Sequence, residues 1–342
     1  MVISGTTGID FGNTPILNAS SAQVQGNQVS PYSGFKNYII NGNFDIWQYK
    51  DVGLTYPQTA SWYGSDDRWT NDNSGSTKSH SQVACTDTER ALFNASYFSR
   101  TVVTGVAVAN NYVIKTQKIE NIYKLAGKTV TLSFWAKANG NKKLGISSEV
   151  AYGTGGSPSS ELLRAGFQQV LDLTTVWKKF TITVTLPTAV GKTLGTDGAH
   201  TSYNRITFWF DAGSTIAPIY IPGMIQQSGT FDIAQVQLEE GSVATPFEQR
   251  PYGLELSLCQ RYYQLFYMFD NILANQWLRK TVYLTTSMRV MPTVSNVTSI
   301  VGGTSYSVTL GTTNNTNSLV FYNSGQTIGG DVVLSGAALA EL

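Results

Sequence analysis

The sequence predicts an all-β protein, in which a jelly-roll or β-sandwich domain is followed by a short helix and a second, smaller β domain. Runs of β-branched and aromatic residues with polar alternation recur from Asn37 onward. Connections rich in Gly, Asn and Ser separate these runs, and amphipathic stretches of helical length are scarce before residue 251. Many strands joined by long polar loops are typical of a sandwich or jelly roll.

Residues 1–36 are predicted to form an N-terminal attachment arm. The segment is rich in Gly, Thr, Ser, Asn and Gln, and no helical or alternating apolar pattern persists along it. Because an isolated extended segment buries too little surface to offset its conformational entropy, a partner or a neighbouring subunit is expected to order it.

Residues 37–250 are predicted to form the sandwich. Its strands are expected in NYIINGNFDIWQY, DDRWT, YVIKTQKIE, KTVTLSFWAKA, WKKFTITVTLP, RITFWFD and FDIAQVQLEE. In KTVTLSFWAKA, four apolar residues at every second position are predicted to face a core: Val130, Leu132, Phe134 and Ala136. Tryptophans inside such runs are interpreted as core residues: Trp47, Trp69, Trp135 and Trp209.

The last strand of the sandwich is predicted within the segment from Phe231 to Tyr252. A bulge near Ala234-Gln235 is needed to keep four apolar residues inward: Phe231, Ile233, Val236 and Leu238. Glu239 and Glu240 then precede a glycine, which is the setting of a solvated strand end or turn. Prolines at 246 and 251 stiffen the exit, so we expect an elbow between domains.

Residues 251–342 are predicted to form a C-terminal helix and a small β domain. Leu254, Leu258, Tyr262 and Leu265 recur at helix-like intervals, so a short helix should begin at about Gly253. Beyond it, strand-like runs divided by Gly and Asn turns continue to the C-terminus.

The bulk composition disfavours several classes of partner. The net charge is +1, from 23 basic and 22 acidic residues, which gives no global field to attract nucleic acid or an anionic membrane. Neither a classical export signal nor an apolar run of about 18 residues is present, so no membrane insertion is expected. Cys85 and Cys259 lie far apart without ligand-like neighbours, and both are interpreted as buried free thiols.

The sequence shows no recognisable nucleophile or phosphate-binding motif. His80 and His200 stand in polar surroundings without a nucleophile elbow, and both are interpreted as exposed loop residues. The glycine-rich loop after Tyr152 lacks the lysine and the helix of a phosphate site. A pair of carboxylates for glycoside hydrolysis stays open only formally, with the candidates Asp66, Asp67, Asp172, Glu239 and Glu240. We therefore expect no enzyme activity and no cofactor.

Aromatic residues in polar contexts indicate a sugar-binding surface. Flat rings cover the C–H faces of sugars, and neighbouring polar atoms bind their hydroxyls. Four aromatic residues in loop-like contexts are the glycan-binding candidates: Trp62, Tyr63, Tyr152 and Tyr203. A structural calcium ion is a separate hypothesis, for which Asn41, Asn43 and Asp232 would supply oxygen ligands near the first and last strands.

Four blocks in order carry a resemblance to a known group of proteins. NYIINGNFDIWQ, SDDRW, VTLSFWAKA and FDIAQVQLEEGSVATPFEQRPYGLELSLCQRYY resemble a pattern of tail-fibre and other virion appendage proteins of bacteriophages, over about residues 37 to 265. The sandwich part also resembles carbohydrate-binding jelly-roll modules of secreted glycosidases. The resemblance implies a homotrimeric appendage on the virion surface, although the chain lacks a long shaft of repeats.

Three functions follow from these observations as alternatives. The first is a virion appendage subunit whose N-terminal arm attaches to other virion proteins and whose β domains bind a host surface glycan. The second is a capsid-attached head fibre or decoration protein that stabilises the shell or adheres weakly. The third is a depolymerase that cleaves the glycan it binds.

Overall fold

The computed structural model describes residues 2–3, 9–10, 22–24, 27–29, 35–48, 62–197, 201–276, 279–301, 304–306, 309–310, 315–322 and 328–341. The chain comprises two compact units, Met1–Lys36 and Asn37–Leu342. In the first unit, β1 (Val2–Ile3) pairs with β2 (Ile9–Asp10), and β3 (Ala22–Val24) pairs with β4 (Asn27–Val29). The attachment role of this segment and the boundary at residue 250 stay predictions.

Two antiparallel sheets form a β-sandwich in the second unit, which confirms the predicted fold class. The five-stranded sheet has the order β13 (Lys178–Thr185), β10 (Thr129–Ala138), β15 (Gly229–Glu240), β8 (Tyr97–Thr104), β7 (Thr77–Ala84). The six-stranded sheet has the order β12 (Leu162–Leu173), β11 (Lys142–Tyr152), β14 (Ser202–Ala212), β9 (Tyr112–Glu120), β6 (Thr70–Ser74), β5 (Trp62–Tyr63). Apolar side chains from both sheets share one buried core, which includes Phe134, Ile146 and Phe208.

Short helices and the C-terminal strands complete the described structure. The helices are α1 (Asp87–Phe93), α2 (Ile216–Tyr220) and α3 (Tyr252–Gln260), with a 3-10 turn at Ile122–Lys124. A four-stranded sheet has the order β16 (Tyr263–Gln276), β22 (Ile328–Leu339), β18 (Thr293–Val301), β19 (Thr304–Tyr306). A three-stranded sheet has the order β17 (Arg279–Tyr283), β21 (Ser318–Tyr322), β20 (Thr309–Leu310), and Phe266, Phe321 and Leu334 belong to a core that the two sheets share.

The predicted bulge in β15 is confirmed. Ala234 lies opposite Trp135 and Gln237 lies opposite Ser133, so two residues of β15 face one residue of β10. The extra residue is accommodated by a positive φ of 49° at Gln235. The bulge lets all four apolar residues enter the core, and each is at most 1% exposed: Phe231, Ile233, Val236 and Leu238.

Two predicted elements differ from the structure. Residues 37–48 were expected to contain a strand, but Asn41 closes a turn there, since its side chain both donates to Ile46 O and accepts from Ile46 N. The apolar spacing also predicted a helix that continues to Leu265, but the helix ends at Gln260. The chain switches to strand β16 at Tyr263, because pairing with β22 along most of its length outweighs a short helical pattern.

Two polar residues that were expected at the surface are buried. His80 is 1% exposed on β7, and its Nδ1 lies 3.1 Å from Thr101 Oγ1, so the prediction of an exposed loop histidine is wrong. Glu239 is 2% exposed, because it accepts hydrogen bonds from Thr245 N and Thr245 Oγ1 where the chain folds back along β15. Glu240 is solvent-accessible and pairs with Lys128, as expected for a strand end.

A pH dependence of stability follows from the burial of His80. Burial and the nearby Lys115 hold the pKa of His80 well below its usual value, so the folded protein keeps the imidazole neutral. The unfolded chain takes up a proton once the pH falls below about 6.5, so this residue lowers the free energy of unfolding as the solution is acidified. We expect urea titrations to show a smaller loss of stability between pH about 7.5 and about 5 in His80→Gln than in the original protein. Equal losses in both proteins would contradict this role of His80.

Candidate functional site

The outer face of the six-stranded sheet carries a group of tyrosines around one arginine. Along β14, Ile206, Phe208 and Phe210 belong to the sandwich core, so the alternate residues Tyr203 and Arg205 face outward. The registers place Arg205 between Glu149 of β11 and Lys118 of β9. We call this outer surface the tyrosine face and define it by Arg205 and its tyrosine neighbours: Tyr63, Tyr112, Tyr203 and Tyr220.

Arg205 is held in the middle of the tyrosine face by two carboxylates. It forms an ion pair with the buried Glu149, and its Nη2 lies 3.6 Å from Glu161 Oε1. The arginine side chain is 24% exposed, so burial lowers the pKa of its guanidinium, while Tyr220, Tyr63 and Asp72 act in the opposite direction. The two carboxylates are thus in direct contact with Arg205, and the tyrosines and Asp72 act on it electrostatically.

The tyrosine hydroxyls on this face stay protonated at neutral pH. Burial raises the pKa of Tyr63, Tyr112 and Tyr203 to about 12 in each case. Neighbouring charges add to this effect, from Asp72 at Tyr112 and from Glu161 at Tyr203. Each hydroxyl can thus donate a hydrogen bond as well as accept one, and Tyr112 donates to Asp72 Oδ2 at 3.1 Å.

A lysine covers one ring of the tyrosine face. The Nζ of Lys118 lies 4.6 Å from the centroid of the Tyr203 ring, within the range of a cation–π contact. Burial and the nearby Arg205 lower the pKa of Lys118 to about 8. The charged residues of the face are two basic ones, Arg205 and Lys118, and three acidic ones, Glu149, Glu161 and Asp72. The face therefore has no strong excess of either charge.

The floor of the tyrosine face holds hydrogen-bonding capacity that the described residues do not use. Arg205 Nε and Thr207 Oγ1 are buried polar atoms without a hydrogen-bond partner in the described part of the chain. Buried polar atoms in native proteins are nearly always hydrogen-bonded to protein or water. Both atoms are themselves buried, so they lie beneath the tyrosine face and are not open to a ligand in this structure.

One end of the tyrosine face is closed by α2. Tyr220 stacks on Trp209, with ring centroids 5.6 Å apart and an angle of 30° between the planes. Trp209 is only 3% exposed and donates from Nε1 to Ser147 Oγ at 2.8 Å. Trp209 is thus buried as predicted, although it lies under α2 on the outer face and not between the sheets. From α2 the tyrosine face extends towards Tyr203 on β14 and Tyr63 on β5.

The structure brings together two of the four predicted glycan-binding residues. Tyr63 and Tyr203 both belong to the tyrosine face, where Tyr63 helps to raise the pKa of Tyr203. Both lie on strands, β5 and β14, and not in loops as expected. The side chain of Trp62 lies outside the described residues. Tyr152 was expected in an exposed loop, which is wrong: it is the last residue of β11 and is 2% exposed, because it packs with Ile122 and Ala165.

Sequence reasoning missed most of the tyrosine face. Arg205 lies two residues after Tyr203 in a strand, so period-2 alternation alone would have placed both on one face. Tyr112, Glu149 and Tyr220 are brought to Arg205 by β9, β11 and α2, which are far apart in the sequence. No local pattern connects these three residues, since strand pairing decides their proximity.

The carboxylates considered for catalysis do not gather at the tyrosine face. Asp66 is buried against Lys115, Asp67 is buried and accepts from Gln48 N at 2.9 Å, and Asp172 pairs with Lys143. Glu239 and Glu240 belong to the opposite sheet. Lack of enzyme activity stays a prediction.

The three calcium candidates engage different protein groups. The Asn41 side-chain oxygen accepts from Ile46 N at 3.0 Å, and the Asp232 carboxylate accepts two hydrogen bonds from Arg100, at 2.7 and 2.9 Å. Asn43 donates to Asp45 at 2.9 Å. The described residues contain no group of three or more His, Cys, Asp or Glu side chains that could hold a metal ion. The arrangement therefore does not favour the calcium hypothesis.

Cys85 and Cys259 are both buried and free, as predicted. Within the described ranges, none of the helices has the length and apolar character needed to cross a membrane. His200 lies outside the described residues.

Comparisons with known proteins find similarity to solved structures. A carbohydrate-binding module of the type CBM4 matches 59% of this chain and 98% of its own, at 17% identity and a TM-score of 0.32. The family 11 carbohydrate-binding module of Clostridium thermocellum, solved with a β-1,3-1,4-mixed-linked tetrasaccharide, matches 55% of this chain and 97% of its own, at 13% identity and a TM-score of 0.31.

A bacteriophage protein is also among the similar structures. The enzymatically active domain of tailspike protein 4 from bacteriophage CBA120 matches 60% of this chain but only 21% of its own, at 13% identity and a TM-score of 0.32. No family model and no curated protein matches the chain. Because these TM-scores are low, the sandwich is established by its own strand order and core.

Proposed function

We propose that this chain binds a glycan through the tyrosine face without cleaving it. The observation that supports the proposal is the cluster of partly buried tyrosines around Arg205, with hydroxyls that stay protonated at neutral pH. Aromatic rings can cover the apolar faces of sugar rings, and the surrounding donors and acceptors can bind hydroxyl groups. The near balance of charge suits an uncharged polysaccharide.

The further proposal is that the chain is a subunit of a bacteriophage virion appendage. Its support is the sequence resemblance of residues 37 to 265 to tail-fibre and other appendage proteins. In this proposal the chain forms a homotrimer on the virion surface, residues 1–36 attach it to other virion proteins, and the glycan belongs to the host cell surface. Gold labelling of the chain on intact particles would test the location, and absence of label from purified virions would refute it.

Loss of a ring from the tyrosine face should weaken glycan binding. We expect the purified protein to bind members of an array of bacterial capsular and O-antigen polysaccharides. Tyr203→Ala and Tyr63→Ala should each weaken that binding by about fivefold or more, because each removes an aromatic contact of about 1 kcal/mol. Microarray titration or calorimetry with the best-bound polysaccharide would measure the change.

An exposed tyrosine elsewhere provides the matched control. Tyr283 is 80% exposed on β17, so Tyr283→Ala removes the same side chain from another surface and should leave binding unchanged. If Tyr203→Ala and Tyr63→Ala bind as well as the original protein, the tyrosine face is not the glycan site. Release of reducing ends from the bound polysaccharide would show instead that the chain is a depolymerase.

A further inference from the structure

A cavity separate from the tyrosine face lies at the elbow where the chain leaves β15. Its volume is about 240 Å³, and residues of the 37–48 segment and of the exit towards α3 line it. Ligand pockets commonly begin at about 300 Å³, so this cavity suits one sugar ring and not a chain of them.

Acidic side chains outnumber basic ones in this cavity. Its charged lining residues are Asp45, Glu248, Glu255 and Arg250. Arg250 pairs with both glutamates, with Nη1 at 3.2 Å from Glu255 Oε2 and Nη2 at 3.4 Å from Glu248 Oε2. Asp45 has no ion-pair partner in the described residues and accepts from Asn43 Nδ2 at 2.9 Å. The cavity therefore carries an excess of negative charge.

An unused acceptor lies beside Asp45. Asn43 is 9% exposed and lines the cavity, and its Oδ1 is buried without a hydrogen-bond partner among the described residues. Leaving such an oxygen unpaired costs free energy, so a donor from a ligand or water should complete it. Burial raises the pKa of the Asp45 carboxyl and Glu255 adds to the effect, while the hydrogen bond from Asn43 acts in the opposite direction.

The remaining lining residues determine the shape of a suitable ligand. The rings of Tyr97, Phe247 and Tyr252 supply apolar surface, while Ser96 and the side-chain oxygen of Gln249 supply hydrogen-bonding groups, since Gln249 Nε2 donates to Asn94 O at 2.7 Å. A bare metal ion would not use the rings, and the described acidic residues are not arranged in a metal-binding group. The lysine side chain of a bound peptide is long and thin, and it carries no hydroxyl groups that Ser96 and Gln249 could bind.

We propose that this cavity binds a single amino-sugar residue through its ammonium group. The ammonium donates hydrogen bonds to the Asp45 carboxylate and to Asn43 Oδ1, and the sugar ring lies against Tyr97 and Tyr252. Ser96 and Gln249 bind the hydroxyls. This site is independent of the tyrosine face, so it can be tested whether or not that face binds a glycan.

The test is titration of the full chain with D-glucosamine at a pH where its amine is protonated, followed by calorimetry or ligand-observed NMR. We expect D-glucosamine to bind about tenfold more tightly than D-glucose or N-acetyl-D-glucosamine, because only its ammonium can make charge-assisted hydrogen bonds to Asp45 and Asn43. Asp45→Asn should abolish that preference. Tyr252→Ala, at a position that is 60% exposed, should weaken the binding of all three sugars, because the sugar ring lies against this side chain.

Two control variants locate the effect. Asp172→Asn removes an exposed carboxylate elsewhere, and Tyr203→Ala alters the tyrosine face; both should leave glucosamine binding unchanged. Equal affinity for the three sugars, or no glucosamine binding, would overturn the proposal. Binding of Nα-acetyl-lysine methylamide or of calcium chloride in place of glucosamine, lost in Asp45→Asn, would also overturn it and would assign the cavity to a peptide or to a metal ion.

Discussion

Replacing Lys115 by methionine is expected to lower the free energy of unfolding by about 3–5 kcal/mol, because it leaves the buried Asp66 carboxylate without its counter-charge. Both side chains are at most 1% exposed, and Lys115 forms an ion pair with Asp66 between the sheets. Asp66 also accepts from Ser65 Oγ at 2.6 Å, from Asn71 Nδ2 at 3.0 Å and from Ser99 Oγ at 3.1 Å. Burial would raise the pKa of Asp66, but the charge of Lys115 and the hydrogen bonds from Lys115 and Ser65 hold it below its usual value.

Urea unfolding followed by tryptophan fluorescence would measure this loss. The double variant Lys115→Met with Asp66→Asn should recover part of it, because the uncompensated charge is then removed. Lys128→Met is the matched control, since Lys128 pairs with Glu240 at a site where both side chains are at least 40% exposed. Exposed pairs contribute about 0–1 kcal/mol, so a loss of similar size in both single variants would contradict a special role for the buried pair.

Glu341→Gln is expected to detach the C-terminal strands from the sandwich, at a cost of about 3–5 kcal/mol. Glu341 forms an ion pair with Arg68, and these side chains are 6% and 1% exposed. The guanidinium of Arg68 lies 3.5 Å from the centroid of the Tyr262 ring and donates from Nη2 to Lys118 O at 2.9 Å. Removing the negative charge leaves this buried cation without a counter-charge at the junction between β9 of the sandwich and the start of β16.

Hydrogen exchange would detect the detachment. The amide of Ala340 donates to Tyr262 O at 2.7 Å, so its exchange should accelerate in Glu341→Gln. Exchange in the middle of β10 should change much less, since that strand lies inside the sandwich. Glu240→Gln, which removes a partly exposed carboxylate, should change neither. Unaltered exchange at Ala340 would mean that apolar packing alone holds the C-terminal strands in place.

Alternation predicted the strands well but predicted environments poorly. The pattern of KTVTLSFWAKA correctly indicated which side chains of β10 enter the core, and the broken pattern of β15 correctly required a bulge. His80, by contrast, lies in a run of polar residues that reads as solvated, yet its side chain is buried beside Lys115. Burial depends on which residues of the opposite sheet pack against a side chain, and the neighbouring residues in the sequence do not specify these contacts.

Local sequence determines the alternating strand patterns, the bulge, the elbow helix and the buried free cysteines. Periodicity, backbone preference and side-chain size act within a few residues, so a single sequence contains them. Only the tertiary structure determines the tyrosine face, the elbow cavity and the ion pairs Lys115–Asp66 and Arg68–Glu341. Each joins residues that are far apart in the chain, from 49 positions for Lys115 and Asp66 to 273 positions for Arg68 and Glu341. Register and sheet order bring such residues together, and a single sequence encodes these long-range pairings only through the packing of the whole core.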